Sequence, residues 1–333
     1  MLKDLCLINS ASGDEKRIRD YIISQIKDYC DYTVDSLGSV IAYKKGKKTP
    51  DNKVMLCAHM DEVGFIITDI TDDGYLKFNS IGGIDTKVCL DRVVKINDIF
   101  GVIGLKPVHL LSDEEKKKSP KFNELYIDIG AKTKEDAQKY VQAGDYAYFT
   151  SEFTEFGDNF IKCKALDDRI GCMLMIELIR EEHEYDTYYF FNVQEEVGLR
   201  GSLCTSYAIQ PDISVILEST TANDTCGVKG GDRVCVLGNG PVISFMDGRT
   251  IYDKELYNLA MNTAMDNSIK TQTKTAIAGG NDAGAIQTSG KGSRVIAVSA
   301  PCRYIHSASS VANKEDIEGM RSLLRVLLPK LYD

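Results

Sequence analysis

The chain has 333 residues, 43% of them hydrophobic and 27% charged, with 49 acids against 40 lysines and arginines for a net charge of −9. That length suits two domains, or one domain carrying an insertion, and the composition is that of a folded globular protein. The negative balance argues against a nucleic-acid binder working through a broad basic face. The basic stretches KKGKK (44–48) and EEKKK (114–118) read as solvated loops.

No apolar run reaches the roughly 18 residues of a membrane helix. The N-terminal stretch MLKDLCLINSASGDEK meets acidic and polar residues too early for a signal peptide. The expectation is a cytoplasmic protein with no membrane partner. Ten cysteines are scattered without a CxxC pair, several inside apolar runs (Cys57, Cys172, Cys235), which suits small buried hydrophobes in a reducing compartment.

In chain order, a helix is expected over about 14–28, following Ser12, with Ile18, Tyr21, Ile22 and Ile26 as its apolar stripe. SLGSVIAYKKG reads as a strand entering a basic turn. VMLCA (54–58) has the unbroken apolar character of a central buried strand. From 66 to 160 the pattern changes to short strands separated by Gly and Asp turns, with helical patterning only near 133–142. This indicates an inserted β-rich domain. From 161 to 333 strands alternate with helices. TYYFFNV (187–193), ISVIL (213–217) and VIAVS (295–299) are the strands; DRIGCMLMIELIREE, LYNLAMNTAMDN and EDIEGMRSLLRVLL are the helices, the last capped by Asn313. The fold class expected is therefore α/β. It has a mixed, mostly parallel sheet flanked by helices, built from residues 1–65 and 161–333 and interrupted by the small all-β domain 66–160.

Chemistry-bearing residues recur just past the apolar strands. His59 follows VMLCA, Glu195 and Glu196 follow YYFFNVQ, Glu218 follows ISVIL, and His306 follows the last strand. Ligands of open α/β sheets bind at the carboxyl ends of strands. Asp167 and Asp168 open the next helix and can face the same crevice. Two imidazoles with several carboxylates suit zinc, cobalt or manganese, and a bridging aspartate allows two ions. Asp61, two residues after His59, can accept from the other ring nitrogen of a ligating histidine. Adjacent residues such as Glu195 and Glu196 point in different directions, so one can bind metal while the other takes a proton. His109 reads as structural, while Arg303 and Tyr304 could line the site or merely pack.

The runs AHMDEVGF, KALDDRIG, VQEEVGLRG, LGNGP, GGNDAGAI and RYIHS occur in this order. In order and spacing the chain resembles the M42 metallopeptidases, the glutamyl, leucyl and lysyl aminopeptidases of the tetrahedral dodecamer type, over nearly its whole length. The resemblance implies that His59 and Glu218 hold one divalent ion and Glu196 and His306 a second, with Asp167 bridging them. It also implies Glu195 as general base, Asp61 as the residue orienting His59, and Gly280 and Asp282 near the substrate. The chain departs from the family's pattern at Glu218, where aspartate is usual, at Asn281, where threonine is usual, and over SGKGSRV (289–295), which lacks the usual Gly-Val-Pro. The activity implied is removal of N-terminal residues from short peptides with a free N-terminus, by a homo-oligomer of up to twelve subunits. A deacylase on the same metal site is the alternative. A glycoside hydrolase is disfavoured, because paired carboxylates alone serve that chemistry and the two histidines would be idle.

Overall fold

The computed structural model describes residues 1–277 and 279–332; Asp333, the last residue of the expected α/β segment, lies outside them. The strands in chain order are β1 (Asp31–Val34), β2 (Val40–Lys44), β3 (Val54–His59), β4 (Gly64–Ile70), β5 (Leu76–Ile81), β6 (Val93–Ile96), β7 (Ile99–Leu105), β8 (Leu125–Asp128) and β9 (Tyr146–Phe149). They continue with β10 (Thr154–Phe156), β11 (Phe160–Cys163), β12 (Thr187–Asn192), β13 (Ile213–Thr221), β14 (Val242–Ser244), β15 (Gln272–Thr273), β16 (Arg294–Arg303) and β17 (Ser310–Asn313). The helices are α1 (Leu2–Leu7), α2 (Lys16–Ile26), α3 (Lys134–Ala137), α4 (Leu166–Ile179), α5 (Arg200–Ile209), α6 (Lys254–Asp266), α7 (Ala283–Ile286) and α8 (Lys314–Leu327).

Eleven strands form one mixed sheet in the order β1-β2-β12-β3-β13-β16-β17-β11-β10, with β14 and β15 attached alongside β16. Its four central strands, β12, β3, β13 and β16, are parallel, and antiparallel strands extend it on both sides. Successive side chains of a strand face opposite ways, and the core divides accordingly. Leu56, Val215, Val298 and Phe191 join one large cluster with residues of α2, α4, α6 and α8. Met55, Cys57, Ile216 and Phe190 join a smaller one with α7 on the other face. All six residues of β3 are buried, as its unbroken apolar run requires.

Strands β4 to β9 close into a separate six-stranded barrel, in the order β4-β5-β8-β7-β6-β9. Phe65, Phe78 and Phe149 pack edge to face inside it at centroid distances of 5.2 and 4.9 Å. The helical patterning near 133–142 gives only the single turn α3, capped by the Thr133 hydroxyl on the Asp136 N–H. Gly144 follows at positive φ and leads into β9.

The chain leaves the sheet at Met60–Val63 and returns through β10 and β11. A buried ion pair ties these two crossings: Lys164 Nζ lies 2.5 and 2.7 Å from the Glu62 carboxylate oxygens. The Ser10 N–H also donates to Glu62, at 3.0 Å.

Candidate active site

The carboxyl ends of the parallel strands bring most of the expected residues together. His59 ends β3, and its neighbour across the parallel pair is Asn192, the last residue of β12. Gln194 adopts a left-handed backbone (φ 56°) that turns the chain so that Glu195 and Glu196 follow at the sheet's edge. Strand β13 runs past the expected ISVIL to Thr221, so Glu218 sits within it rather than after it. Ala165 (φ 55°) precedes Asp167, and His306 itself has φ 60°. Left-handed conformations in non-glycine residues cost about 1–3 kcal/mol each, and here they cluster where side chains must converge. The Asp167–Asp168 peptide bond is cis.

Asp167 stands at the centre. Its Oδ1 lies 3.2 Å from His59 Nε2, and its Oδ2 lies 3.4 Å from His306 Nε2. Glu218 Oε1 is 3.5 Å from the same His59 nitrogen, and Glu196 Oε1 is 3.2 Å from the same His306 nitrogen. Each imidazole turns its other nitrogen to a backbone carbonyl: His59 Nδ1 to Asp61 at 3.1 Å, and His306 Nδ1 to Gly83 at 2.7 Å. A carbonyl can only accept, so Nδ1 carries a proton on both rings, and Nε2 is the nitrogen that each ring turns to the carboxylates.

Gly83 belongs to the barrel. The adjacent Gly82 (φ +83°) lies against Glu196, where an added Cβ would come within 2.8 Å of Val63 Cγ1 and 3.3 Å of Glu196 Cβ. The barrel loop therefore covers Glu196 and His306 closely and leaves no room for a side chain.

Asp61 does more than sit beside His59. Its carboxylate is 3.5 Å from His59 Nδ1, farther than its own backbone oxygen. The carboxylate accepts from the backbone N–H groups of Glu195 (3.1 Å) and Glu196 (3.2 Å) and from the Ser12 hydroxyl (2.6 Å). It thus holds the turn that carries both glutamates. Burial would raise its pKa, but His59 and these donors outweigh that and lower it.

The electrostatics are those of an acid-rich cluster short of positive charge. Five carboxylates (Asp167, Asp168, Glu195, Glu196, Glu218) face two imidazoles, and no lysine or arginine ion-pairs with any of them among the described residues. Burial, with the Asp167 charge added to it, pushes Glu218 up to about 8. Burial, then the Glu218, Glu196 and Asp282 charges, hold Glu195 well above the usual carboxylate range. Burial lowers His306, but Asp167 and Glu196 reverse that and bring it to about 11. Asp168 Oδ2 is buried without any partner, and its oxygens group with those of Asp167 and Glu218 within 4.8 Å. An unpaired buried oxygen and converging Nε2 and carboxylate donors are what a divalent cation satisfies. The residues present therefore fit such ions.

These side chains open onto a cavity of about 680 Å³ lined also by Gly280 and Asn281, together with Asp247, Arg249 and Lys274. Asp282 lies behind the wall, 1% exposed, and accepts from the Asn192 amide at 2.8 Å. Arg303 packs: it makes a two-pronged pair with Asp224 at 2.7 and 2.8 Å. His109 is exposed at the barrel surface, and His183 is buried against the Tyr189 hydroxyl.

The M42 glutamyl aminopeptidase family model matches residues 38–323. The chain belongs to the M42 aminopeptidase family. It is similar to the lysyl aminopeptidase of Pyrococcus furiosus, with 33% identity over 94% of this chain and 91% of that one. Among solved structures, it superposes on an aminopeptidase from the archaeon Desulfurococcus kamchatkensis with a TM-score of 0.92 and 35% identity, over 98% of this chain and 92% of that one. It also superposes on the TET1 peptidase of Pyrococcus horikoshii, whose structure is described as a tetrahedron or a large octahedral shell. The TM-score there is 0.86 at 35% identity, covering 98% of this chain and 97% of that one. Membership in this metallopeptidase family implies divalent metal ions, in agreement with the donor set.

Sequence reasoning did not single out Arg249, Lys274 or the unpartnered Asp168 oxygen. The first two lie on loops after short strands, where no periodic pattern marks them. Asp168 was visible only as half of an Asp-Asp pair.

Proposed function

We propose that this M42 aminopeptidase works with two divalent ions, zinc, cobalt or manganese, and removes N-terminal residues from short peptides with Glu195 as general base. The observation that carries the reading is the two-sided Asp167 carboxylate, with one oxygen beside each histidine and a glutamate paired to each side. His59, Glu218 and Asp167 would hold one ion, and His306, Glu196 and Asp167 the other. When bound, two such ions make hydroxide available near neutral pH and polarise the scissile carbonyl.

The chain's own groups supply the rest. The Glu195 carboxylate makes no hydrogen bond or ion pair among the described residues, so it is available to accept a proton and deliver it to the leaving amine. Asp61 keeps that glutamate and Glu196 in register through their backbone N–H groups. The acidic ring suits a free α-amine, so peptides with blocked N-termini are poor substrates.

We read residues 1–65 and 161–333 as the metallopeptidase domain and 66–160 as an inserted domain for assembly and roofing of the active site. The fit of Gly82–Gly83 over Glu196 and His306 supports the roof. The exposed Phe100, Val102 and Val108 of the barrel, with the shells formed by the Pyrococcus relative, support a homo-oligomer, a dodecamer in this reading. The ten free cysteines suit a cytoplasmic setting, and no described helix is long and apolar enough to cross a membrane.

The test is Glu195→Gln. The substitution preserves shape and the backbone contact to Asp61, so metal content measured by elemental analysis stays at the wild-type level. Turnover of aminoacyl-anilides should fall by about 10²- to 10⁴-fold. Activity within tenfold of wild type would remove Glu195 from the proposed role.

A further inference from the structure

The turn that carries Glu195 and Glu196 is held from outside as well as by itself. On its C-terminal side it closes internally, with the Glu195 carbonyl accepting from the Gly198 and Leu199 N–H groups, each at 2.9 Å. On its N-terminal side three successive N–H groups donate to two buried carboxylates. Gln194 donates to Glu15 Oε1 at 3.1 Å, Glu195 to Asp61 Oδ1 at 3.1 Å, and Glu196 to Asp61 Oδ2 at 3.2 Å.

Glu15 lies outside the metal cluster, 4% exposed, at the N-cap of α2. A side-chain oxygen there ordinarily accepts from the helix's own first N–H groups. Glu15 makes no such bond. Its Oε1 accepts instead from the Gly13 N–H, at 2.8 Å, and from Gln194, 179 residues along the chain. Three residues before it, the Ser12 hydroxyl donates to Asp61. Residues 12–15 therefore meet both carboxylates that hold the turn. Strand β9 of the barrel braces this segment. Asp14 accepts from the Tyr148 hydroxyl, and Gly13 (φ 96°) lies so close to Tyr146 that an added Cβ would stand 2.5 Å from its Oη.

The two glutamates depend on this clamp unequally. The Glu196 carboxylate has a partner of its own, His306 at 3.2 Å. The Glu195 carboxylate has no hydrogen bond or ion pair among the described residues, so its place is set by its backbone. That backbone follows Gln194, whose left-handed conformation persists only where surrounding contacts enforce it.

We infer that Glu15 is a positioning residue for the general base. By accepting from the Gln194 N–H it fixes the backbone from which Glu195 enters the cavity, and it takes no part in metal binding. This rests on the reading of Glu195 as the base and adds the residue that aims it.

The test is Glu15→Met, which keeps the bulk and removes the acceptor, beside Glu15→Gln, whose amide oxygen can take both N–H groups. Both are made in the full chain, with Glu195 and with Glu195→Gln, loaded with cobalt or zinc and read with aminoacyl-anilides. With Glu195 in place, Glu15→Met should lower kcat by roughly 10- to 100-fold and leave KM within about threefold of wild type. Metal affinity by calorimetry should not change, and Glu15→Gln should return kcat to within about threefold of wild type. In the Glu195→Gln background, where residual turnover is read at high enzyme concentration, Glu15→Met should cost nothing further, because the group it aims is gone. Should Glu15→Met fail to fold, Glu15→Asp withdraws the acceptor by one methylene and carries the same expectation. Wild-type kcat without the acceptor, a loss of metal affinity in step with kcat, a Gln variant as slow as the Met variant, or an undiminished loss in the Glu195→Gln background would overturn the inference and leave the general-base reading intact. Near-normal turnover in Glu195→Gln alone would overturn the general-base reading instead.

Discussion

Replacing Lys164 by methionine removes one half of the ion pair that joins the chain's exit from the sheet to its return. The side chains are 3% and 5% exposed and 2.5 Å apart. At that distance, and at an effective permittivity of about 20, the Coulomb attraction is roughly 7 kcal/mol, much of which offsets the desolvation of both groups. Without Lys164, the Glu62 carboxylate keeps only the Ser10 N–H, so an uncompensated charge stays buried. The expected destabilisation is about 3–5 kcal/mol. The double variant Glu62→Gln with Lys164→Met removes that charge and should recover more than half of the loss. Denaturant midpoints at fixed protein and metal concentration measure both, since ligand and assembly shift apparent stability. A single variant within about 1 kcal/mol of wild type, or a double variant no more stable than the single, would refute the reasoning.

Gly82→Ala should weaken metal binding, because the new methyl meets Val63 and Glu196 at a positive φ; metal affinity by calorimetry should fall at least several-fold. Metal loading at pH 7 should release protons, because Glu218 near 8 and His306 near 11 hold protons that the cations displace. Affinity therefore falls as pH is lowered, and calorimetry in buffers of different ionisation enthalpy counts the protons; none released would contradict this. Burial raises Glu15 to about 7. A raised folded pKa contributes stability below the unfolded value near 4.5 and loses it as pH rises through 7, so Glu15→Gln should flatten the stability profile by up to about 3 kcal/mol. Parallel profiles for the two proteins would rule it out.

Much of the fold was legible because its central strands are buried on both faces. VMLCA and ISVIL are unbroken apolar runs for that reason, and the polar residue that ends or interrupts each run marks the site. His59 and Glu218 were found this way. Helices α1, α5 and α7 were not read, because six-, ten- and four-residue segments with mixed faces leave little periodic signal. Barrel closure was equally invisible, since β4 meets β9 across some eighty residues of chain. The sequence suggested Asp61 as a partner of His59. The hydrogen bonds from its carboxylate to the backbone of residues 195 and 196 depend on how β3 and β12 lie side by side, and that no local pattern reveals.

The carbonyl of Gly83 has a consequence for how this enzyme can be divided. It is the acceptor that fixes the proton on His306 Nδ1, yet it comes from the barrel, while the histidine comes from the far end of the α/β chain. A shortened enzyme made by joining residue 62 directly to residue 164 would retain all five proposed ligands. It would still lose the group that fixes which nitrogen of one ligand is free. Truncation would therefore be felt as unequal occupancy of the two proposed ion positions, alongside the loss of β10 and β11 from the sheet's edge.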